Sequence, residues 1–238
     1  MGRWHRATLR VQIASGSIGS ASRLDVLGGA NAIALETPDG WEIVQFEDAT
    51  LVSPNVYDLS MLLRGRLGTE NRVQANLAAG AGFVVLNEAL VPLPGDESDL
   101  NQPYWWKLVR SGDDLSSTSF QPYQFAFTGA GLRPWAPAHV RGQRNAAGDL
   151  TISWMRRSRV GSSWGRAQAP LAEETEAYEV DVLDGGAVVR TIATGSESAS
   201  YSAAEQTADF GSPQAQVQVV VYQVGTTYGR GAGRAATL

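Results

Sequence analysis

Apolar and polar positions alternate with a period of two along most of this chain. Leu9, Val11 and Ile13 alternate with Thr8, Arg10 and Gln12, and Tyr57, Leu59 and Met61 alternate with Asp58 and Ser60. The same holds for Tyr123, Phe125 and Phe127, for Leu150, Ile152 and Trp154, and for Tyr178, Val180 and Val182. Successive side chains of a strand point to opposite faces, so this pattern predicts strands buried on one face. Turn-forming runs separate them: Gly28-Gly29, Pro38-Asp39-Gly40, Ser53-Pro54-Asn55, Gly148-Asp149 and Gly185-Gly186. Helical periodicity is scarce. Val73–Ala81 is Ala-rich but glycine-interrupted and predicts a turn or two of helix; Ala203–Ala208 predicts another short turn. The expected class is all-β.

One segment, Gly129-Ala-Gly-Leu-Arg-Pro-Trp-Ala-Pro137, holds two glycines and two prolines and can propagate neither a helix nor a central strand. It predicts a semi-rigid hinge, dividing the chain into an N-terminal β unit at 1–132 and a second unit at 133–238. Charge changes at the same place. The chain carries 19 cations and 24 acids, net −5; residues 1–132 hold 9 and 14 of these, and residues 133–238 hold 10 of each.

The second unit has about seven candidate strands in ~100 residues, the number expected of an immunoglobulin-like sandwich. A proline-rich lead-in precedes a strand at His139–Gln143 and the segment Asp149-Leu-Thr-Ile-Ser-Trp154. Tyr178-Glu-Val-Asp-Val182, Ser198–Ser202, Val217–Val224 and Gly231–Leu238 follow, with a long Arg- and Trp-bearing insertion at Met155–Leu171. This order resembles a fibronectin type III module. The resemblance implies a core role for Trp154 and a spacer or binding function rather than catalysis.

The first unit contains Trp41-Glu-Ile-Val-Gln-Phe46, Ala49-Thr-Leu-Val-Ser-Pro54 and Leu62-Leu63-Arg64-Gly65-Arg66-x-Gly68-Thr69-Glu70. With Ser17–Ala21 and Leu27-Gly-Gly-Ala-Asn31, these runs resemble the C-terminal region of the large tail-tip or baseplate protein of gene transfer agents and related siphophage tails. The resemblance implies a virion structural role at the distal, cell-facing end of a tail, synthesis in the bacterial cytoplasm, and other tail-tip or baseplate subunits as partners. It also implies that the chain is the C-terminal part of a longer protein or a short relative of one. Read from the residues alone, Arg64 and Arg66 share one side of an extended chain. They would pair with Glu70 or an acidic neighbouring strand, or else form an anion site.

Chemistry that the composition does not support is easily stated. With no cysteine there is no disulfide, thiolate zinc site or cysteine nucleophile. The acidic balance disfavours nucleic acid. No apolar run approaches the ~18–20 residues that span a bilayer. The two histidines, His5 and His139, lack a Gly-x-Ser-x-Gly elbow to serve, so no catalytic residue is assigned. Asp96, Glu97, Asp99 and Asn101 could supply part of a calcium shell but lack the twelve-residue loop spacing, and no metal or cofactor is expected. Two binding candidates remain. Trp105 and Trp106 are adjacent, so strand alternation exposes one of them to stack on a sugar or cover a subunit. Arg156, Arg157, Arg159 and Trp164 form a basic, aromatic loop suited to a cell-envelope polysaccharide or to docking against the acidic first unit. The expected function is a non-enzymatic structural and host-attachment component. The alternatives are an accessory carbohydrate-binding region of a carbohydrate-active enzyme and an extracellular adhesion module.

Overall fold

The alternating segments fold as antiparallel strands in the computed structural model, which describes residues 4–161 and 169–238. Contacts divide the chain into two units, Met1–Val91 and Pro92–Leu238.

The first unit runs β1 (Trp4–His5), β2 (Leu9–Gln12), α1 (Arg23–Leu27), β3 (Ala32–Thr37), β4 (Gly40–Ser53), β5 (Val56–Arg66) and β6 (Phe83–Val85). These form one sheet in the order β1-β5-β4-β3-β6. β2 joins β5 on the edge that β1 also uses, because β4 pairs the same β5 residues from the other side. The sheet wraps one core, in which Val11, Ile33, Leu35, Val44, Phe46, Tyr57, Leu59 and Leu62 are buried. Leu9 and Ile13 from the β2 side and Phe83 and Val85 from β6 pack on the same cluster, so both sheet edges reach one interior. The short α1, which alternation does not announce, is capped by Ser22, whose hydroxyl accepts a hydrogen bond from the Asp25 amide at 3.2 Å. Val73–Ala81 is not helical. Beyond a 3-10 turn at Glu70–Arg72 the chain is irregular, and Gly80 takes φ +89° where a helix would need a negative value.

The second unit begins with a two-stranded ribbon, β7 (Pro103–Trp106) and β8 (Tyr123–Ala126). Then follow β9 (Ala138–Arg144), β10 (Leu150–Met155), β11 (Tyr178–Asp184), β12 (Ala187–Thr194), β13 (Ser198–Tyr201), α2 (Ala203–Phe210), β14 (Gln218–Gly225) and β15 (Gly229–Thr237). Two sheets result, β13-β10-β9 and β12-β11-β14-β15. Three strands facing four in this order is the fibronectin type III arrangement of the immunoglobulin-like sandwich. Leu150, Ile152, Trp154, Tyr178, Val180, Val182, Tyr201, Val219 and Val221 fill the space between the sheets. Trp154 lies 4% exposed with its ring edge-on to Tyr178 at 5.3 Å. Gly185 and Gly186 both take positive φ, +56° and +90°, in the two-residue turn between β11 and β12. α2 is a full helix rather than a turn, with a capping box between Ser202 and Glu205 and Gly211 as its left-handed C-terminal stop.

Candidate functional site

The Arg64–Glu70 run lies where β5 leaves the sheet, and its residues answer to one another. The Arg64 guanidinium makes a bidentate pair with Glu42 of β4: Nε donates to Oε1 at 2.6 Å and a terminal nitrogen donates to Oε2 at 2.5 Å. The Glu42 side chain is fully buried and that of Arg64 is 15% exposed. The Gly65 amide also donates to Glu42 Oε1, at 2.9 Å. Gly65 takes φ +62°, and a Cβ there would sit 2.8 Å from the Glu70 backbone, so the position demands glycine. Arg66 Nε donates to Gln45 Oε1 at 2.6 Å, and Gln45 in turn donates to the carbonyls of Val26 and Ala30, tying α1 to the sheet. Thr69 completes the knot: its hydroxyl donates to the Arg66 carbonyl at 2.7 Å and accepts from the Ile43 amide at 3.0 Å. Of the readings open in the sequence, the geometry selects pairing with a neighbouring acidic strand. The acid is Glu42, and Arg64 is committed to it rather than turned toward an incoming anion.

The ribbon carries a second concentration of functional groups. Its register sets Tyr104 opposite Phe125 and Trp106 opposite Tyr123 on one face, while Trp105 lies opposite Gln124 on the other. Trp105 is 69% exposed, and Trp106 is half-buried with its ring edge-on to Phe127 at 5.8 Å. The two tryptophans are therefore not brought together, and one flat ligand cannot stack on both. Tyr104, together with Tyr123 and Phe125, the latter two expected only as alternating strand residues, stays between 43% and 46% exposed, since a two-stranded ribbon has no second sheet to cover it. The Tyr104 hydroxyl donates to Asp99 at 2.6 Å, which holds its proton and raises the phenol above its ordinary range.

In the sandwich, Arg156 and Arg159 meet acids of their own unit. Arg156 donates to Glu176 at 3.1 Å and to the Ala169 carbonyl at 2.7 Å, with Glu197 at 3.8 Å. Arg159 donates to Glu173 at 3.1 Å and to the Ala172 carbonyl at 2.7 Å, and the Glu173 side chain is nearly buried. Both pin the end of β10 to the segment returning at 169–176, a use that their spacing does not disclose. The Arg157 guanidinium lies 4.9 Å from the centre of the Trp135 ring. Trp164 lies outside the described residues. Among the described residues no three or more His, Asp or Glu side chains gather to hold a metal ion, and no helix is long and apolar enough to cross a membrane.

A wrapped antiparallel sheet knotted by Arg64, and a fibronectin type III sandwich, define the class: an all-β protein of two units. Residues 2–84 match the family model described as Rcc01698-like, C-terminal, a family associated with gene transfer agents. The match spans less than half of the chain and covers every strand of the first unit except the last residue of β6. No curated protein matches the chain. Among solved structures, it is similar to domains d3–d4 of the rat CD45 extracellular region, with 10% identity over 87% of this chain and 93% of that one, at a TM-score of 0.33. It is also similar to the chicken CNTN1 FN1-FN3 domains, with 14% identity over 99% of this chain and 61% of that one, at 0.31. The FN5 domain of Drosophila Lar matches 44% of this chain with 94% of its own length at 14% identity and 0.27. At these scores the likenesses carry no argument about function.

Proposed function

We propose that this chain is a non-enzymatic structural component of a phage-like tail tip of the gene-transfer-agent kind, placed in the distal tail beside other tail-tip or baseplate subunits. The observation that carries this reading is the family match over residues 2–84, which contains the whole Arg64–Glu70 run. That run is spent on holding the first unit together, as a structural part requires. The fibronectin type III module supports a spacer or attachment role at the same location, with its loops and the exposed ribbon as the surfaces available to neighbours or to envelope polysaccharide.

The test is a tag at the chain's C-terminus in particle-producing cells, followed by immunogold electron microscopy of purified particles. Label at the distal end of tails supports the reading. A tagged chain that is made but never enters particles overturns it. Saturable binding of a soluble polysaccharide by a chain that never enters particles favours the carbohydrate-binding alternative.

A further inference from the structure

The two edges of the first sheet line one groove. Its walls are Leu9–Ser15 on the β2 side and Phe83–Val85 of β6; Leu35, Val56 and the small-residue run Leu77–Gly82 complete it, enclosing about 990 Å³. Each wall is a strand edge paired on one side only. The Ile13 amide bonds to Asn55, so alternation turns the amides of Leu9 and Val11 toward β5 and those of Arg10 and Gln12 toward the groove. The Leu86 amide bonds to Ala32 and the Gly82 carbonyl accepts from Glu36, so Val84 faces β3 while the Phe83 and Val85 backbone faces the groove.

Strand direction sets what can fit. Every neighbouring pair in this sheet is antiparallel, and the sheet has five lateral positions, with β1 and β2 sharing one. Across an odd number of alternating strands the two edges run parallel, so β2 and β6 point the same way. They cannot close on each other as an antiparallel pair. One added strand, antiparallel to both, completes an even-numbered antiparallel barrel and pairs both rows of edge groups.

Charge narrows the occupant. Among the lining residues only Arg10 is ionisable, and its guanidinium is bidentate on Asp58 at 2.7 Å. The groove therefore suits an uncharged segment with apolar side chains at every second position. The described strands of this chain are already paired, and its exposed apolar run Leu90-Val91-Pro92-Leu93-Pro94 carries two prolines that cannot donate to a ladder. We propose that the groove between β2 and β6 accepts an extended strand from a different polypeptide, uncharged and alternating apolar with polar, antiparallel to both edges. This inference does not depend on the chain residing in a tail.

The probe is a synthetic peptide of alternating Thr and Val, acetylated and amidated, with one Lys at each end for solubility. Amide hydrogen exchange is read by NMR on the whole chain. The amides of Arg10, Gln12, Phe83 and Val85 should exchange freely in the chain alone and slow by about ten-fold or more at about 1 mM peptide, the weak end of specific binding. The same peptide N-methylated at alternate residues should leave them unchanged, and the Gln12→Pro variant, which removes one edge donor at an edge-strand position, should bind less. Three results overturn the proposal: the four amides already exchanging as slowly as those of Val11 and Val84 without peptide, no slowing at the highest peptide concentration, or equal slowing by the N-methylated peptide. Slowing that rises with protein concentration in the absence of peptide assigns the groove to a second copy and overturns the choice of a different polypeptide.

Discussion

Replacing Arg64 by Leu while leaving Glu42 in place separates a structural from a ligand-binding use of the Arg64–Glu70 run. The Glu42 side chain is fully buried and receives the two Arg64 nitrogens and the Gly65 amide. Without Arg64, a carboxylate stays in the interior with one amide donor. Removing one partner of a buried ion pair costs about 3–5 kcal/mol, most of it the penalty of the charge left behind. For a domain of this size each kcal/mol moves the melting midpoint by about 4–8 °C, so the first unit should melt at least ~12 °C lower. The assay is calorimetry of the whole chain at neutral pH, with amide exchange of β4 and β5 to assign the transition. Glu42→Leu combined with Arg64→Leu should recover most of the loss, because an apolar pair of similar volume tolerates the site where a lone charge does not. A loss below about 1 kcal/mol in Arg64→Leu, or a double variant worse than the single, would refute the claim that this pair holds the unit together. It would also return Arg64 to the list of candidate anion ligands.

Trp154→Ala should cost the sandwich about 3–5 kcal/mol in denaturant unfolding, as expected for truncating a buried aromatic; a cost under about 1 kcal/mol contradicts its place between the sheets. Gly65→Ala should destabilise the first unit by about 1–3 kcal/mol, since the new Cβ meets backbone and φ stays positive; an unchanged midpoint contradicts the geometry. Residues 134–238 alone should unfold cooperatively as a β domain, and a disordered circular dichroism spectrum would refute an independent sandwich. Acid should weaken the fold. The Arg190 hydrogen bonds hold Asp209 below the usual carboxylate range, the Ser202 amide does so for Glu205, the Ala203 amide for Asp149 and the Arg10 side chain for Asp58. The folded state binds fewer protons than the unfolded one. The stability from these groups is therefore full above the unfolded value near pH 4 and is lost as pH falls through the lower folded values. Thermal midpoints that stay flat from about pH 5 to pH 2 would contradict this assignment.

The parts of this fold legible in the sequence are those where one face of a strand is wet and the other dry. β10 shows this most plainly, with Leu150, Ile152 and Trp154 buried and Thr151, Ser153 and Met155 exposed. β12 escaped notice because it is an edge strand with neither face fully covered: Val188 and Val189 are adjacent and both exposed, which breaks the period of two. α1 is five residues long, too short for a helical period to register. The chemistry divides the same way. That Arg64 would sit on a strand end beside an acid was readable. That the acid is Glu42, 22 residues back, follows from how β4 pairs with β5, where the register shifts between Ile43 and Gln45. Spacing in the sequence carries no trace of that shift. Likewise the Trp105–Trp106 alternation was visible, but the ribbon partner that sets Phe125 and Tyr123 beside Tyr104 and Trp106 comes from a segment 17 to 21 residues downstream.

Both units spend arginines on acids of their own, and this bears on where recognition can occur. In the sandwich, Arg156 and Arg159, expected to reach outward, are drawn inward by Glu176 and Glu173 of the same unit, and Arg190 is likewise held by Asp209 and Arg230 by Glu179 and Asp181. An arginine already sharing its fork with a carboxylate must give up those bonds to take a ligand phosphate or carboxylate, so these side chains are poor first contacts for an anionic polymer. Two surfaces among the described residues offer backbone and ring instead: two unpaired strand edges facing one groove, and a ribbon whose aromatic side chains are about half exposed. Neither surface reads charge. If the proposed strand pairing at the groove holds, contacts there would come from pairing strands and covering rings, which a fixed neighbour in an assembly supplies more readily than a polyanion free in solution.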